Sequence, residues 1–180
     1  MVFLDETGFL MMPLVRRSWA PRGHTPLLFQ RTQSHKKVSV IAVLCISPER
    51  DRVYLYFRFH PDANINATYV LEFLKNISRQ LKSPTVLLWD RFMAHKAKKV
   101  QSYIRGSQAL HSEFLPPYAP ELNPVENVWG YMKRNPMAND APYDLSTLTK
   151  KARRHGWSLK KKQNLLRSFL KHTPLFLRLK

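Results

Sequence analysis

The stretch Thr85-Val86-Leu87-Leu88-Trp89-Asp90 is a short apolar run that ends in an acid, and it decides the class of fold. Five consecutive apolar or β-branched residues preceded by Ser83-Pro84 are typical of a buried strand. Before this run, residues 67–81 place apolar side chains at helical spacing, and after it a second helix is predicted over residues 94–105. A strand between two helices is typical of an α/β sheet with helices packed on it.

Four further apolar runs complete the predicted sheet. Val2-Phe3-Leu4 leads into Asp5-Glu6-Thr7-Gly8, the pattern of a strand followed by a turn. Val38–Ile46 and Val53–Phe59 predict an antiparallel pair, and residues 109–115 predict a last short strand. The resulting fold class is α/β: a mixed sheet of three antiparallel and two parallel strands, flanked by helices.

A proline-rich segment, Leu115-Pro116-Pro117-Tyr118-Ala119-Pro120-Glu121-Leu122-Asn123, leads into the next predicted helix. Asn123 suits the N-cap and Pro124 the first helical position. The helix carries an apolar stripe made of Val125, Val128, Trp129 and Met132. Beyond it, two short basic helices are predicted over residues 145–155 and 158–172, so we divide the chain into a domain of residues 1–135 and a basic helical extension of residues 136–180.

The chain is strongly basic. Its 180 residues include 30 Lys and Arg against 12 Asp and Glu, a net charge of +18, and 44% of them are hydrophobic, which excludes a disordered basic tail. Between Lys150 and Lys180 there are 11 basic residues and no acidic ones. An excess of this size in a folded domain predicts a polyanionic partner, most often DNA or RNA.

Other classes are excluded by residue counts and run lengths. The single cysteine, Cys45, excludes an internal disulfide framework and a multi-cysteine zinc site. The longest apolar run, Val38–Ile46, is too short to cross a bilayer. We therefore expect a cytoplasmic protein that associates with the nucleoid.

Acidic residues follow two of the apolar runs and begin one helix. Asp5 follows the first predicted strand, Asp90 follows the fourth, and Glu126 lies in the first turn of the helix after the proline-rich segment. Ligands bind α/β sheets at the carboxyl ends of neighbouring strands. If the first and fourth strands are neighbours, three carboxylates converge in one cleft of a basic protein.

Such a cluster predicts bound cations, because like charges at close range otherwise force some carboxyls to take up protons. Mg²⁺ or Mn²⁺, hard ions that prefer oxygen ligands, suit these side chains. Two ions roughly 4 Å apart would activate water and stabilise the leaving 3′ oxygen during in-line attack at phosphorus.

Each acid also has a purely structural interpretation, and the residues alone leave it open. Asp5 could start a turn, and Asp90 could cap the helix that follows it. Glu126 lies three residues after Asn123 and fits a capping box.

Three segments carry a family resemblance. They are Phe3-Leu4-Asp5-Glu6-Thr7-Gly8-Phe9, then Leu87-Leu88-Trp89-Asp90 with His95 five residues on, and then Leu115 to Trp129, with 35 residues between Asp90 and Glu126. Together they resemble the catalytic domain of DDE transposases of the mariner-type superfamily, most closely its bacterial insertion-sequence branch, the six-thirty family. Arg17-Ser18-Trp19-Ala20-Pro21-Arg22-Gly23 resembles the loop after the first catalytic strand in these enzymes.

The resemblance implies an RNase H-like fold in which Asp5, Asp90 and Glu126 are the catalytic, metal-binding triad. The implied reaction is hydrolytic cleavage at transposon ends, followed by attack of the freed 3′-OH on target DNA. It also implies a homodimer.

The chain departs from the family pattern in two respects. Relatives commonly have Asn directly after the second aspartate, where this chain has Arg91, which either contacts phosphate or places positive charge near the metals. Relatives also carry an N-terminal helix-turn-helix region, absent from this sequence. We therefore expect a fragment, or the second half of a split gene whose DNA-binding half is encoded separately.

DNA contacts are expected outside the triad. For His95 the alternatives are a phosphate or active-site contact and an exposed residue at a helix start, and Trp19 lies in a loop that favours a DNA contact. The expected contacts are Trp19, Arg22, Arg91, His95, Lys96, Lys98, Lys99, Lys133, Arg134, Lys160, Lys161 and Lys162.

Two other functions remain open from the residues. One is an RNase H-like nuclease that performs no strand transfer, and the other is a catalytically inactive basic DNA-binding remnant. The segment from Pro116 to Glu126 favours the transposase over the first of these.

Overall fold

The centre of the protein is a five-stranded mixed sheet. A computed structural model describes residues 1–12, 14–27, 36–81, 83–175 and 177–180. The strands found in this part of the chain are β1 (Val2–Leu10), β2 (Lys37–Ile46), β3 (Val53–Pro61), β4 (Thr85–Trp89) and β5 (Leu110–Phe114). They lie in the order β3-β2-β1-β4-β5; β1, β2 and β3 pair antiparallel, whereas β4 pairs parallel with both β1 and β5. The predicted RNase H-like arrangement is confirmed.

Helices cover both faces of the sheet. They are α1 (Ala67–Ser78), α2 (Met93–Lys96), α3 (Lys98–Arg105), α4 (Pro124–Arg134), α5 (Leu145–Lys160) and α6 (Gln163–Lys171), with a short 3₁₀ helix at Pro120–Leu122. Successive side chains of a strand point to opposite faces. Val2 and Leu4 of β1 accordingly pack with α1 and α3, whereas Phe3 and Phe9 pack with α4, α5 and α6. The basic extension thus covers one face of the sheet.

Strand β1 is longer than predicted. The turn expected at residues 5–8 is wrong, because these residues continue the ladder with β2, which runs as far as Leu10 opposite Lys37. Pairing of β1 with β4 covers Val2 opposite Leu87 and Phe3 opposite Leu88. Asp5 therefore lies within β1, just beyond the point where the neighbouring β4 ends.

Two helix predictions need correction. The helix predicted over 94–105 is divided into α2 and α3 at Ala97, whose backbone is extended with ψ of 134°. The break predicted after residue 155 falls instead at residues 161–162, because α5 continues through Gly156 and Trp157 while packed against β3. Gly156 allows this approach, since a Cβ there would lie 2.8 Å from the Phe57 ring.

The proline-rich segment and the N-terminus of α4 follow the prediction. Asn123 is the N-cap, and its side chain accepts a hydrogen bond from the Val125 N–H; Pro124 is the first helical residue. The predicted apolar stripe is buried against the sheet: Val125, Val128, Trp129 and Met132.

An irregular segment follows β1. Its residues 14–27 are exposed, including Trp19, which is fully exposed, while residues 28–35 of the same stretch lie outside the described part of the chain. No helix among the described residues is both long and apolar enough to span a membrane.

Candidate active site

Parallel pairing of β1 and β4 brings two predicted acids to one edge of the sheet. Phe3 lies opposite Leu88, and each is followed two residues later by an aspartate, Asp5 or Asp90. Both aspartates line one open cleft of about 320 Å³. The first and fourth strands are therefore neighbours, the condition on which the sequence prediction depended, and these carboxylates lie where α/β sheets bind ligands.

Helix α4 is fastened across this edge by two hydrogen bonds. Asn123 Nδ2 donates to the Leu4 carbonyl at 3.0 Å, and Trp129 Nε1 donates to Asp5 Oδ2 at 2.9 Å. All three side chains that make or accept these bonds are buried or nearly so, with Asp5 only 8% exposed. The first turn of α4, which carries Glu126, is thus fixed relative to β1.

Glu126 is not used in a capping box. The Asn123 N–H that such a box would bind donates instead to the Pro120 carbonyl at 2.9 Å. Glu126 is exposed and lines a second open cleft of about 620 Å³ together with Trp129 and Lys133. Its carboxylate is therefore available to a ligand.

Asp5 lies in an environment that disfavours its charge. Burial raises the pKa of Asp5 well above its usual value, and repulsion from Glu126 and then Glu6 raises it further, against the hydrogen bond from Trp129. A neighbouring cation stabilises the ionised form of carboxylates that lie this close together.

Lys133 supplies one such cation from the far end of α4. Its Nζ donates to Thr7 Oγ1 at 2.6 Å, and the side chain is half-buried. Burial lowers the pKa of Lys133, while Glu126 and Asp5 oppose this shift. Lys133, predicted as a DNA contact, thus lies beside the carboxylates.

His95 lies behind Asp90 and is fully buried, with 0% exposure. Its Nδ1 lies 2.8 Å from Asp90 Oδ1 and 3.2 Å from the Asp90 carbonyl oxygen, and its Nε2 lies 2.9 Å from Glu6 Oε1. The ring also stacks on Trp89, at 4.3 Å between ring centroids. The prediction of a DNA contact is therefore corrected: His95 has no surface for DNA to touch, and it contacts an active-site carboxylate instead.

Both nitrogens of His95 face carboxylate oxygens, which only accept hydrogen bonds when ionised, so both carry hydrogen. Burial lowers the pKa of His95, but the hydrogen bonds and charges of Asp90 and Glu6 outweigh it and raise the pKa to about 9. The hydrogen bond from His95 in turn lowers the pKa of Asp90. The ionised form of Asp90 is therefore favoured, whereas the shift for Asp5 has the opposite direction.

The capping role considered for Asp90 is wrong, because the N-cap of α2 is Phe92 and makes no side-chain cap hydrogen bond. Asp90 Oδ1 accepts a hydrogen bond from the Phe92 N–H at 2.9 Å, which organises the turn into α2. The same oxygen contacts His95, and Oδ2 has no hydrogen-bond partner among the described residues. One oxygen of Asp90 thus orders the turn, and the residue as a whole lines the cleft that it shares with Asp5.

The donor set suits a hard divalent cation. Asp5, Asp90 and Glu126 offer carboxylate oxygens, which Mg²⁺ and Mn²⁺ prefer. The pKa of Asp5 is raised even with Lys133 nearby, which indicates that the charge of this carboxylate is not fully compensated. In the described part of the chain, no three His, Cys, Asp or Glu side chains are close enough together to hold one ion.

The remaining expected DNA contacts lie on three parts of the surface. Arg22 and Trp19 are on the exposed segment after β1. A second group surrounds α2 and α3, beside Asp90, and a third lies at the ends of α4 and α5. The second group is Arg91, Lys96, Lys98 and Lys99, and the third is Arg134, Lys160, Lys161 and Lys162. Lys160 lies over the rings of Tyr56 and Trp157.

Sequence reasoning misses the residues that support the acids. The sequence pattern favours a surface or turn position for Glu6 and a core position for Trp129. In the structure, Glu6 bonds His95, which in turn contacts Asp90, and Trp129 donates a hydrogen bond to Asp5. Strand alternation carries the missing signal: Asp5 and Thr7 share the face of Phe3, which meets α4, whereas Glu6 shares the face of Leu4.

A mixed sheet of this order, in which Asp5 of β1 lies beside the end of β4, has the RNase H-like fold. The family model of DDE superfamily endonucleases matches residues 1–149. The chain belongs to this family.

Solved structures with the same fold come from Mos1 transposase. A Mos1 paired-end complex with the left transposon end superposes with a TM-score of 0.72 at 18% identity, over 96% of this chain and 52% of that one. A Mos1 mariner paired-end complex with Mn gives 0.67 at 18% identity, over 96% and 52%. This chain thus spans about half the length of the solved chains that it matches.

A curated relative matches a short stretch. The uncharacterized protein y4pE/y4sA of Sinorhizobium fredii (strain NBRC 101917 / NGR234) is 65% identical over 26 residues, which are 14% of this chain and 19% of that protein.

Proposed function

We propose that this chain is the catalytic domain of a DNA transposase that cleaves DNA at transposon ends and joins the freed 3′ end to target DNA. The observation that carries the proposal is the meeting of Asp5 and Asp90 at one edge of the sheet, with α4 fastened across it so that Glu126 is nearby. The fold shared with Mos1 transposase complexes supports the transposase over other RNase H-like nucleases.

Asp5, Asp90 and Glu126 would bind Mg²⁺ or Mn²⁺, as two ions. When bound, such ions lower the pKa of an attacking water and stabilise the leaving 3′ oxygen, in cleavage and in strand transfer alike. The chain's own residues prepare this site. Trp129 orients Asp5, Asn123 fixes the start of α4 on β1, and Lys133 moderates the negative charge.

The substrate is DNA, held by the basic surface. The net charge of +18 and the run of basic residues after Lys150 support phosphate binding without base-specific recognition. The active assembly is a homodimer, which acts in the cytoplasm at the nucleoid.

Nicking of supercoiled plasmid tests the proposal. With Mn²⁺ or Mg²⁺ the chain, fused to a DNA-binding domain, is expected to nick, and EDTA or Asp90→Asn abolishes nicking. Asp62→Asn is the matched control, because Asp62 is an exposed aspartate directly after β3 and its substitution removes the same charge. Equal nicking by Asp90→Asn and the control would contradict the triad.

A joining assay separates the two reactions. Pre-cleaved ends with a free 3′-OH are expected to become covalently joined to a target plasmid. Nicking without joining would instead support the nuclease that performs no strand transfer.

A further inference from the structure

The side chain of Asp90 is exposed, yet a fully buried group holds it. Asp90 follows the last residue of β4, so no strand pairing fixes it, and its side chain is 56% exposed. Oδ1 nevertheless lies 2.8 Å from His95 Nδ1, in a side chain with 0% exposure. An exposed carboxylate is thereby oriented by a group that solvent does not reach.

His95 is itself fixed from several directions. Its ring stacks on Trp89 with an interplanar angle of 16°, and its Nε2 bonds Glu6 Oε1 at 2.9 Å. Its backbone carbonyl accepts a hydrogen bond from Gln101 Nε2 at 2.7 Å. The imidazole therefore has little freedom to turn, and the direction of its Nδ1–H is set by the fold.

Glu6 connects this arrangement to the strand that carries Asp5. Asp5 and Glu6 are consecutive in β1 and point to opposite faces of the sheet, one toward Trp129 and the other toward His95. The order Glu6–His95–Asp90 thus joins β1 to the end of β4 on the face opposite α4.

We propose that His95 is a positioning residue that orients the Asp90 carboxylate for metal binding, and that Glu6 anchors His95 rather than binding the metal itself. His95 and Phe92 N–H occupy Oδ1, which leaves Oδ2 of Asp90 to bind an ion. The proposal rests on the proposed function, since it gives Asp90 the role of a metal ligand.

Mn²⁺ binding by the full chain tests His95 without any reaction, with free Mn²⁺ measured by electron paramagnetic resonance. Asn and Gln form a matched pair at this position. The amide nitrogen of Asn replaces Nδ1 and still reaches Asp90, whereas that of Gln replaces Nε2 and reaches only Glu6. Partners of metal ligands typically contribute about 10–100-fold to metal affinity. We expect His95→Gln to weaken Mn²⁺ binding about 10-fold or more, and His95→Asn to retain most of it.

Glu6 offers a second pair that avoids disturbing the buried ring. Glu6→Gln and Glu6→Ala lose the same charge, but only Gln retains an oxygen that accepts from Nε2. We expect Glu6→Gln to bind Mn²⁺ more tightly than Glu6→Ala. Circular dichroism and the unfolding temperature confirm that each variant is folded.

The outcomes separate the two proposals. If Asp90→Asn abolishes Mn²⁺ binding while His95→Gln binds like the unmodified chain, the positioning role is overturned and the metal site stands. Equal weakening by folded His95→Asn and His95→Gln, or equal binding by the two Glu6 variants, also overturns it. If Asp90→Asn leaves Mn²⁺ binding unchanged, both proposals are wrong.

Discussion

Replacing Asp5 by Asn is expected to make the metal-free chain more stable at neutral pH, although it alters a residue of the proposed triad. The pKa of Asp5 is raised, first by burial and then by repulsion from Glu126 and Glu6. Asn is almost the same size, has no charge, and keeps an oxygen that accepts the hydrogen bond of Trp129 Nε1. The substitution therefore removes the unfavourable charge and keeps the packing.

The pH dependence has a definite sign. The pKa of Asp5 is higher in the folded chain than in the unfolded chain, so the stability contributed by Asp5 is fully present below the unfolded value. It is lost as the pH rises through the folded value. The stability difference between Asp5→Asn and the unmodified chain should therefore grow as the pH rises above about 4, the usual value for Asp, and through the raised folded value.

The magnitude follows from the burial of Asp5, which is 8% exposed. An incompletely compensated buried polar group costs about 1–3 kcal/mol. For a chain of this size each kcal/mol corresponds to about 2–4 °C. We expect the unfolding temperature in EDTA at about pH 8 to rise by roughly 2–12 °C.

Thermal unfolding followed by circular dichroism measures this difference. Asp62→Asn is the control; its side chain is 57% exposed, and surface substitutions usually change stability by less than about 0.5 kcal/mol. Saturating Mn²⁺ should reverse the order, because only the unmodified chain gains stability from the ion. An Asp5→Asn variant less stable than the unmodified chain in EDTA at about pH 8, or a difference independent of pH, would show that the Asp5 charge does not destabilise the folded chain.

Three further predictions concern α4, α5 and the basic surface. Trp129→Phe removes the hydrogen-bond donor to Asp5 and part of a buried ring. The free energy of unfolding, measured in urea, should fall by about 2–4 kcal/mol. An unchanged urea midpoint of unfolding would contradict the role given to this hydrogen bond. Gly156→Ala brings a Cβ against the Phe57 ring and should lower the free energy of unfolding by about 1–2 kcal/mol, after allowing for the better helix propensity of Ala. In a Phe57→Leu background the loss should be smaller. Equal losses in the two backgrounds would contradict the contact between residue 156 and Phe57. The double variant Lys161→Ala, Lys162→Ala should bind duplex DNA with a weaker salt dependence. The slope of log affinity against log salt concentration should fall by up to about 0.9 for each phosphate that is no longer neutralised, whereas Lys75→Ala on α1 should leave it unchanged. Equal slopes for the double variant and the unmodified chain would show that these two lysines do not contact DNA.

Local patterns in the sequence predict the fold and the placement of two acids. The apolar runs of β2 and β4, and the Asn123-Pro124 start of α4, are set by neighbouring residues, and the structure agrees with them. Parallel neighbours at the centre of the sheet then bring Asp5 and Asp90 to one edge.

Features that depend on distant partners could not be predicted in the same way. The length of β1 is set by its ladder with β2, and the length of α5 by its packing on Phe57. His95 shows the difference most clearly. In the sequence it lies among lysines near a helix start, and its burial comes from contacts with Trp89 and with Glu6 of β1, which is 89 residues away in the chain.

Diffraction from crystals grown with Mn²⁺, collected at a wavelength where manganese scatters anomalously, locates the metal site in the protein. We expect an anomalous peak in contact with the carboxylates of Asp5 and Asp90, with a ligand from Glu126, and no such peak in Asp90→Asn. A peak elsewhere on the protein, or one that persists unchanged in Asp90→Asn, would contradict the assignment of these acids as the metal site.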